Sequence, residues 1–182
     1  IALSNTQLLT LPRDGNGLGK GDTNPPVIKT VDLVDFSSAT NILGLYDTEG
    51  AQISPGAVLN GGIVPAKSTV VVNLLSTADL TKFGFNLDTT SPTQSTVSEK
   101  IEGMALVPDI STPNTSDFFL FVGNDNDFRC SDVRMVDANG TLMSYGDQRD
   151  RGITNDATFT VWRISIHPDN RKFFRIGVDT TP

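Results

Sequence analysis

Short apolar segments bounded by Gly, Pro, Asn and Asp most restrict the folds open to this chain. Residues 27–34 alternate, with Val27, Lys29, Val31 and Leu33 on one face and Ile28, Thr30, Asp32 and Val34 on the other. Residues 158–166 alternate in the same way and set Trp162, Ile164 and Ile166 on a common side. A period of two marks a strand with one buried face. Further strands are expected over 6–11, 42–46, 63–75, 101–107, 118–122, 133–136 and 172–178, with a turn at Asp137-Ala138-Asn139-Gly140. Helical spacing is confined to 76–84, where Ser76 or Thr77 can cap and Gly84 can terminate about two turns. The fold class expected is therefore all-β.

The segments around 101–107 and 118–122 form a hairpin with acids at its open end. If Val107 lies opposite Phe118, antiparallel pairing sets Glu102 opposite Gly123, next to Asn124, Asp125, Asn126 and Asp127. Strands lie about 5 Å apart, so these side chains share one rim. Crowded carboxylates are costly unless positive charge sits among them. Calcium, which takes six to eight oxygens from carboxylates, Asn carbonyls and backbone, suits Glu102, Asn124, Asp125, Asn126 and Asp127. The plainer alternative is a polar hairpin end whose Asn and Asp side chains bond their own turn.

With 182 residues the chain can bury the core of one domain. Only 19% of residues are charged, and 16 Gly and 10 Pro accompany many Ser, Thr and Asn, as in loop-rich secreted β proteins. The net charge of −7 and the lack of a basic stripe argue against nucleic acid as a partner. No apolar run is long enough to span a membrane. Cys130, the single cysteine, is either a free thiol or is bridged to another chain or to a part of the precursor absent here. Asn114 and Asn139 head glycosylation sequons in expected loops. The chain opens on Ile1-Ala2-Leu3-Ser4, which reads as a trimmed start or as the C-terminal fragment of a longer precursor.

Two stretches share an order of strand, acidic Gly/Asn turn, loop and alternating strand. In the first, Gln7 to Leu11 runs into Arg13-Asp14-Gly15-Asn16-Gly17 before residues 27–33; in the second, Phe118 to Val122 runs into Asn124-Asp125-Asn126-Asp127 before residues 159–166. Repeated antiparallel units suggest a β-propeller, of which 182 residues make roughly three to four blades. The whole chain, 1–182, then reads as a single-domain fragment whose ring is completed by an N-terminal fragment of the same precursor. A β-sandwich is the alternative architecture.

Three segments resemble the esterase-like domain of the phytase-like family, secreted or periplasmic β-propellers. They are Lys100-Ile101-Glu102-Gly103-Met104 through Asp109, Phe121-Val122-Gly123-Asn124-Asp125-Asn126-Asp127-Phe128, and Leu11-Pro12-Arg13-Asp14-Gly15-Asn16-Gly17 followed by Lys29-Thr30-Val31-Asp32-Leu33. They span about residues 3 to 130 in the family's order; Pro12 stands where the family often has Glu. The resemblance implies a secreted, metal-assisted hydrolase of a phosphate ester or other ester. Glu102 and Asp125 would hold the metal, and Arg13 would steady developing charge on a small anionic substrate. The alternative is a non-catalytic secreted propeller that binds a partner or ligand and carries structural calcium. A carbohydrate-binding sandwich, the third reading, wants exposed aromatics, and the chain has one Trp and two Tyr.

Other features carry less. Arg13 and Asp14 also read as an ion pair across a tight turn. Gly15-Asn16-Gly17-Leu18-Gly19-Lys20-Gly21 fits neither the P-loop nor the dinucleotide pattern and reads as a flexible turn. His167 precedes Pro168, and no Gly-x-Ser-x-Gly elbow accompanies it, so a serine triad is excluded. One His and one Cys are too few for zinc. Arg129, Arg134, Arg149 and Arg151 follow the acidic turn, as a solvated face or as neutralising charge for the rim.

Overall fold

The computed structural model describes residues 1–46, 48–111, 113 and 116–166, and the backbone of Phe173–Gly177. Nine strands run in chain order: β1 (Gln7–Thr10), β2 (Thr30–Asp35), β3 (Lys67–Asn73), β4 (Ile101–Pro108), β5 (Asp117–Asn124), β6 (Val133–Val136), β7 (Leu142–Gly146), β8 (Phe159–Ile166) and β9 (Phe173–Gly177). The one α-helix among the described residues, α1 (Thr77–Leu80), continues into a 3-10 turn, Thr81–Phe83, and ends at Gly84 with φ 73°. This is the helix expected from the sequence, with Ser76 at the N-cap and the left-handed residue that terminates it supplied by Gly84. Apart from this element and a separate 3-10 turn, Pro55–Ala57, the regular elements of the described residues are all strands.

The strands form a three-stranded sheet, β1-β2-β3, a four-stranded sheet, β4-β5-β8-β9, and a separate ribbon, β6-β7. All neighbouring pairs are antiparallel. The alternation seen in the sequence selects the inner faces. Val31 and Leu33 of β2 join Leu9 and Val72, while Leu120 and Val122 of β5 join Trp162 and Ile164 of β8. These side chains form one buried cluster shared by both sheets. Burying each such side chain contributes roughly 1.5–3 kcal/mol. Trp162 is core, as its phase indicates, and its indole N–H donates to Thr160 Oγ1 at 3.1 Å.

Four local readings change. Residues 42–46 turn rather than extend: Asn41 Oδ1 accepts the Leu43 N–H, and the Leu45 and Tyr46 N–H groups both return to the Ile42 carbonyl. Strand β7 had no alternation to announce it. Residues 15–21 are not a free turn, because Leu18 is fully buried and bonds through its backbone to Val97 and Glu99. The β4–β5 register is offset by one along most of its length, with Val107 opposite Phe119.

A β-bulge absorbs that offset at the open end. Ile101 faces Asn124 and Gly103 faces Gly123, which leaves Glu102 as an extra residue. Ile101, Met104 and Leu106 can therefore all pack on the core, while Glu102 is turned outward onto the rim. No described helix is long and apolar enough to cross a membrane.

Candidate functional site

Four segments meet at the end of the two sheets where β1 and β5 finish: 13–20, 97–102, 124–129 and 150–158. Asp14 anchors the first. Its carboxylate accepts the N–H groups of Val27, Ile28 (2.8 Å) and Asn16 (3.1 Å). Burial alone would raise its pKa, but these donors and the Lys29 ammonium outweigh it and hold the carboxyl at about 2.

Lys29 is fully buried, because it occupies the inward phase of the strand that holds Val31 and Leu33. Its ammonium donates to the Glu99 carbonyl at 2.7 Å and to the Asp14 backbone and carboxylate oxygens at 3.3 Å each. Burial lowers its pKa, and Asp14 opposes the shift. Lys29 thus ties the first sheet's turn to the segment that enters β4.

The glycine loop closes over the same segment. Leu18 pairs in parallel with Ser98, and Asp150 accepts the Gly19 N–H at 2.9 Å. Buried Asn155 donates to the Leu18 carbonyl at 3.5 Å and to Ser98 Oγ at 3.0 Å. Arg151 is held by Asp150 and by the Thr89 carbonyl, Arg134 by Asp132, and Arg149 by Asp147. Those three arginines are engaged away from the hairpin acids.

The expected rim residues do come together. Arg13 and Glu102 form a hydrogen-bonded ion pair between the first turn and the β4 bulge. Lys100 pairs with Asp127 at 2.8 Å. Asp125 Oδ1 accepts the Asp127 N–H at 2.9 Å, and Asn126 Oδ1 accepts the Phe128 N–H at 3.1 Å. Asn124 Oδ1 accepts the Thr158 N–H at 2.6 Å, so it fastens β5 to the entry of β8. Asp127 and Phe128 both have positive φ, 50° and 55°, and the local Asn and Asp bonds hold that strained turn.

The positive charge the carboxylates need is supplied by the chain itself, through Arg13 and Lys100. Among the described residues no three Asp, Glu, His or Cys side chains gather as metal ligands. Glu102, Asn124, Asp125, Asn126 and Asp127 each give one side-chain oxygen to an internal cation or a backbone N–H group, so a calcium ion would compete with those partners for them.

Two groups define the floor of the rim: Arg129, read from the sequence as a solvated residue or as neutralising charge for the rim, and Glu99, which sequence reasoning did not place. Glu99 is 9% exposed, and burial together with nearby Asp127 raises its pKa, against the pull of Arg129, Lys100 and Arg13. Arg129 is half-buried, and its Nε–H has no hydrogen-bond partner in the described structure. A buried carboxyl with a raised pKa and an unsatisfied guanidinium donor face a common charge cluster. The guanidinium donor suits an anion. Lys29 could have been found from its inward phase; Glu99 had no comparable signal.

Asn139 is exposed in the β6–β7 turn, open to a glycan, while Asn114 and His167 lie outside the described residues. Cys130 is a half-buried free thiol in this chain, its Sγ 3.8 Å from the Asp132 carbonyl. Comparison with protein-family models, curated proteins and solved structures gave no match.

Proposed function

We propose that the chain is the C-terminal part of a secreted β-propeller of the phytase-like esterase kind, and that its rim hydrolyses a small anionic ester. One observation carries this reading. The Arg-Asp-Gly turn and the Glu-Gly strand, which bear the resemblance, lie far apart in sequence, yet Arg13 and Glu102, 89 residues apart, are directly bonded. Two antiparallel sheets sharing a face are compatible with neighbouring blades, and equally with a sandwich. The rest of the ring would come from an N-terminal part of the same precursor.

In the proposed reaction Arg13 and Arg129 take the ester's anionic oxygens, since planar guanidinium groups suit phosphate and carboxylate. Arg13 thereby releases Glu102, whose carboxylate accepts a proton from the attacking water. The water oxygen bonds to phosphorus or carbonyl carbon, the bond to the leaving oxygen breaks, and protonated Glu99 supplies that oxygen's proton. No step runs through calcium. Binding of calcium by the rim would require Lys100 and Arg13 to withdraw from Asp127 and Glu102.

The saturation of Glu102 and Asp127 favours a second reading, a non-catalytic propeller whose ion pairs only fasten the two sheets. Hydrolysis of 4-nitrophenyl phosphate and 4-nitrophenyl acetate, with and without added calcium, separates the two. The enzyme reading expects turnover that falls at least about 100-fold in Glu99→Gln and in Arg13→Ala. Turnover no faster than the blank with either ester sinks it and leaves the binding propeller.

A further inference from the structure

Beside the rim lies a cavity of about 50 Å³ that none of the steps above uses. Leu80, Phe83, Phe85, Val97, Val122 and Trp162 give it apolar walls, and buried Asp79, paired with Lys82 at 3.1 Å, lines it as well. It holds roughly three to five water-sized spheres, the room of a short alkyl group. Its polar side is shared with the rim. Ser98 and Ile101 line the cavity and bracket Glu99 and Lys100 in sequence. Asn155 and Thr158 line it too, and both bond Asn124. Asn155 also stands near Glu99, though Glu99 itself does not line the cavity: a Cβ placed on Gly19 would lie 2.9 Å from Glu99 Oε1 and 3.3 Å from Asn155 Nδ2.

We infer that this cavity receives the short alkyl part of the ester whose anionic head lies on the rim. The substrate class is then a phosphate monoester of a small aliphatic alcohol. The inference rests on the hydrolase reading above, and it assigns the leaving group to the side of the site where Ser98, the chain neighbour of Glu99, lines the cavity. A walled apolar volume next to charged donors gains affinity from each methylene it removes from water, about fourfold per carbon, until it is full.

Trp162 is the only tryptophan, so its emission reports on the cavity directly. The intact chain is titrated with inorganic phosphate and with methyl, ethyl, propyl and butyl phosphate, followed by calorimetry and by Trp162 fluorescence. The expected result is binding of every phosphate, with affinity rising about fourfold per carbon and a blue shift of Trp162 that grows with the chain. Leu80→Phe should abolish the chain-length dependence and leave inorganic phosphate binding unchanged. The wild-type series is decisive by itself if that variant does not fold. Equal affinity across the series with unmoved Trp162 emission overturns the cavity assignment and spares the rim. Absence of phosphate binding removes the rim reading and the inference with it. A shift of Trp162 by butan-1-ol without any phosphate binding also overturns it, because the cavity would then be unconnected to an anionic head.

Discussion

Gly17 sits where only a residue without a side chain fits. Its φ is 130°, and an added Cβ would lie 2.5 Å from the Val97 carbonyl oxygen and 2.9 Å from backbone atoms of Ser98 and Glu99. Backbone cannot swing aside as a flexible side chain can. Gly17→Ala should cost at least about 2 kcal/mol in chemical denaturation, while Gly15→Ala, which meets only the Arg13 guanidinium at 3.8 Å, should change little. Equal effects would show that the loop is not clamped at Gly17. The two buried-side carboxyls pull stability in opposite directions with pH. The Asp14 carboxyl is held at about 2 against an ordinary 3.8, so it contributes above pH ~4 and that contribution is lost as pH falls toward 2. The loss is on the order of 2 kcal/mol, and Asp14→Asn should flatten the acid limb of a stability–pH curve. Glu99 has the opposite sign: its folded-state pKa is raised, so ionisation above that pKa favours the unfolded chain. Glu99→Gln should therefore be more stable than the parent near pH 7 and indistinguishable from it near pH 3. A Gln variant that is less stable at neutral pH would mean the carboxylate is needed as an ion-pair partner.

The bulge in β4 links local geometry to the rim. Because Glu102 is the extra residue, Ile101 and Met104 face inward on either side of the Glu102–Gly103 pair. Deleting Glu102 leaves a regular alternation in which Ile101 and Met104 still face the core. The exposed Arg13–Glu102 pair contributes little to stability, as exposed ion pairs contribute about 0–1 kcal/mol. The deletion variant should thus keep its unfolding free energy within about 1 kcal/mol and lose ester hydrolysis. A collapse of stability would show that the bulge serves the fold rather than the rim. How far the elements were legible follows the same physics. Alternation announced β2 and β8 and put Lys29 among inward residues, because a period of two is fixed by backbone pleating alone. The hairpin of β4 and β5 was legible as a pair, yet its register was not, because a bulge leaves the composition of both strands unchanged. Residues 42–46 read as a strand from Ile42, Leu43 and Leu45, but the Asn41 side chain and Gly44, with φ 75°, bend them into turns. The β6–β7 ribbon was half seen: its Asp-Ala-Asn-Gly turn was plain, whereas Leu142–Gly146 has exposed residues throughout and no inner face to pattern.

At the scale of the molecule, sequence alternation specifies which face of a sheet is buried but not what covers it. Here each sheet covers the other. Leu9, Val31, Leu33 and Val72 from the first meet Leu120, Val122, Trp162 and Ile164 from the second in one cluster. Neither three nor four strands alone enclose a core, so the sheets depend on each other. Lys29, which reaches from the first sheet to the Glu99 carbonyl, adds a polar tie at the rim end. It follows that damage on one side is felt on the other. Leu33→Ala removes buried methyl groups from β2 and should cost about 2–5 kcal/mol. Trp162 lies on β8 in the opposite sheet, so its fluorescence reads the unfolding of that sheet. In denaturant the Trp162 transition and the far-UV circular dichroism transition of Leu33→Ala should move together to one lower midpoint, as a single cooperative unit requires. If the dichroism shifts while the Trp162 transition keeps its parental midpoint, the sheets are separate folding units. The rim would then lie at a junction held by Lys29 and Arg13 instead of on a shared core.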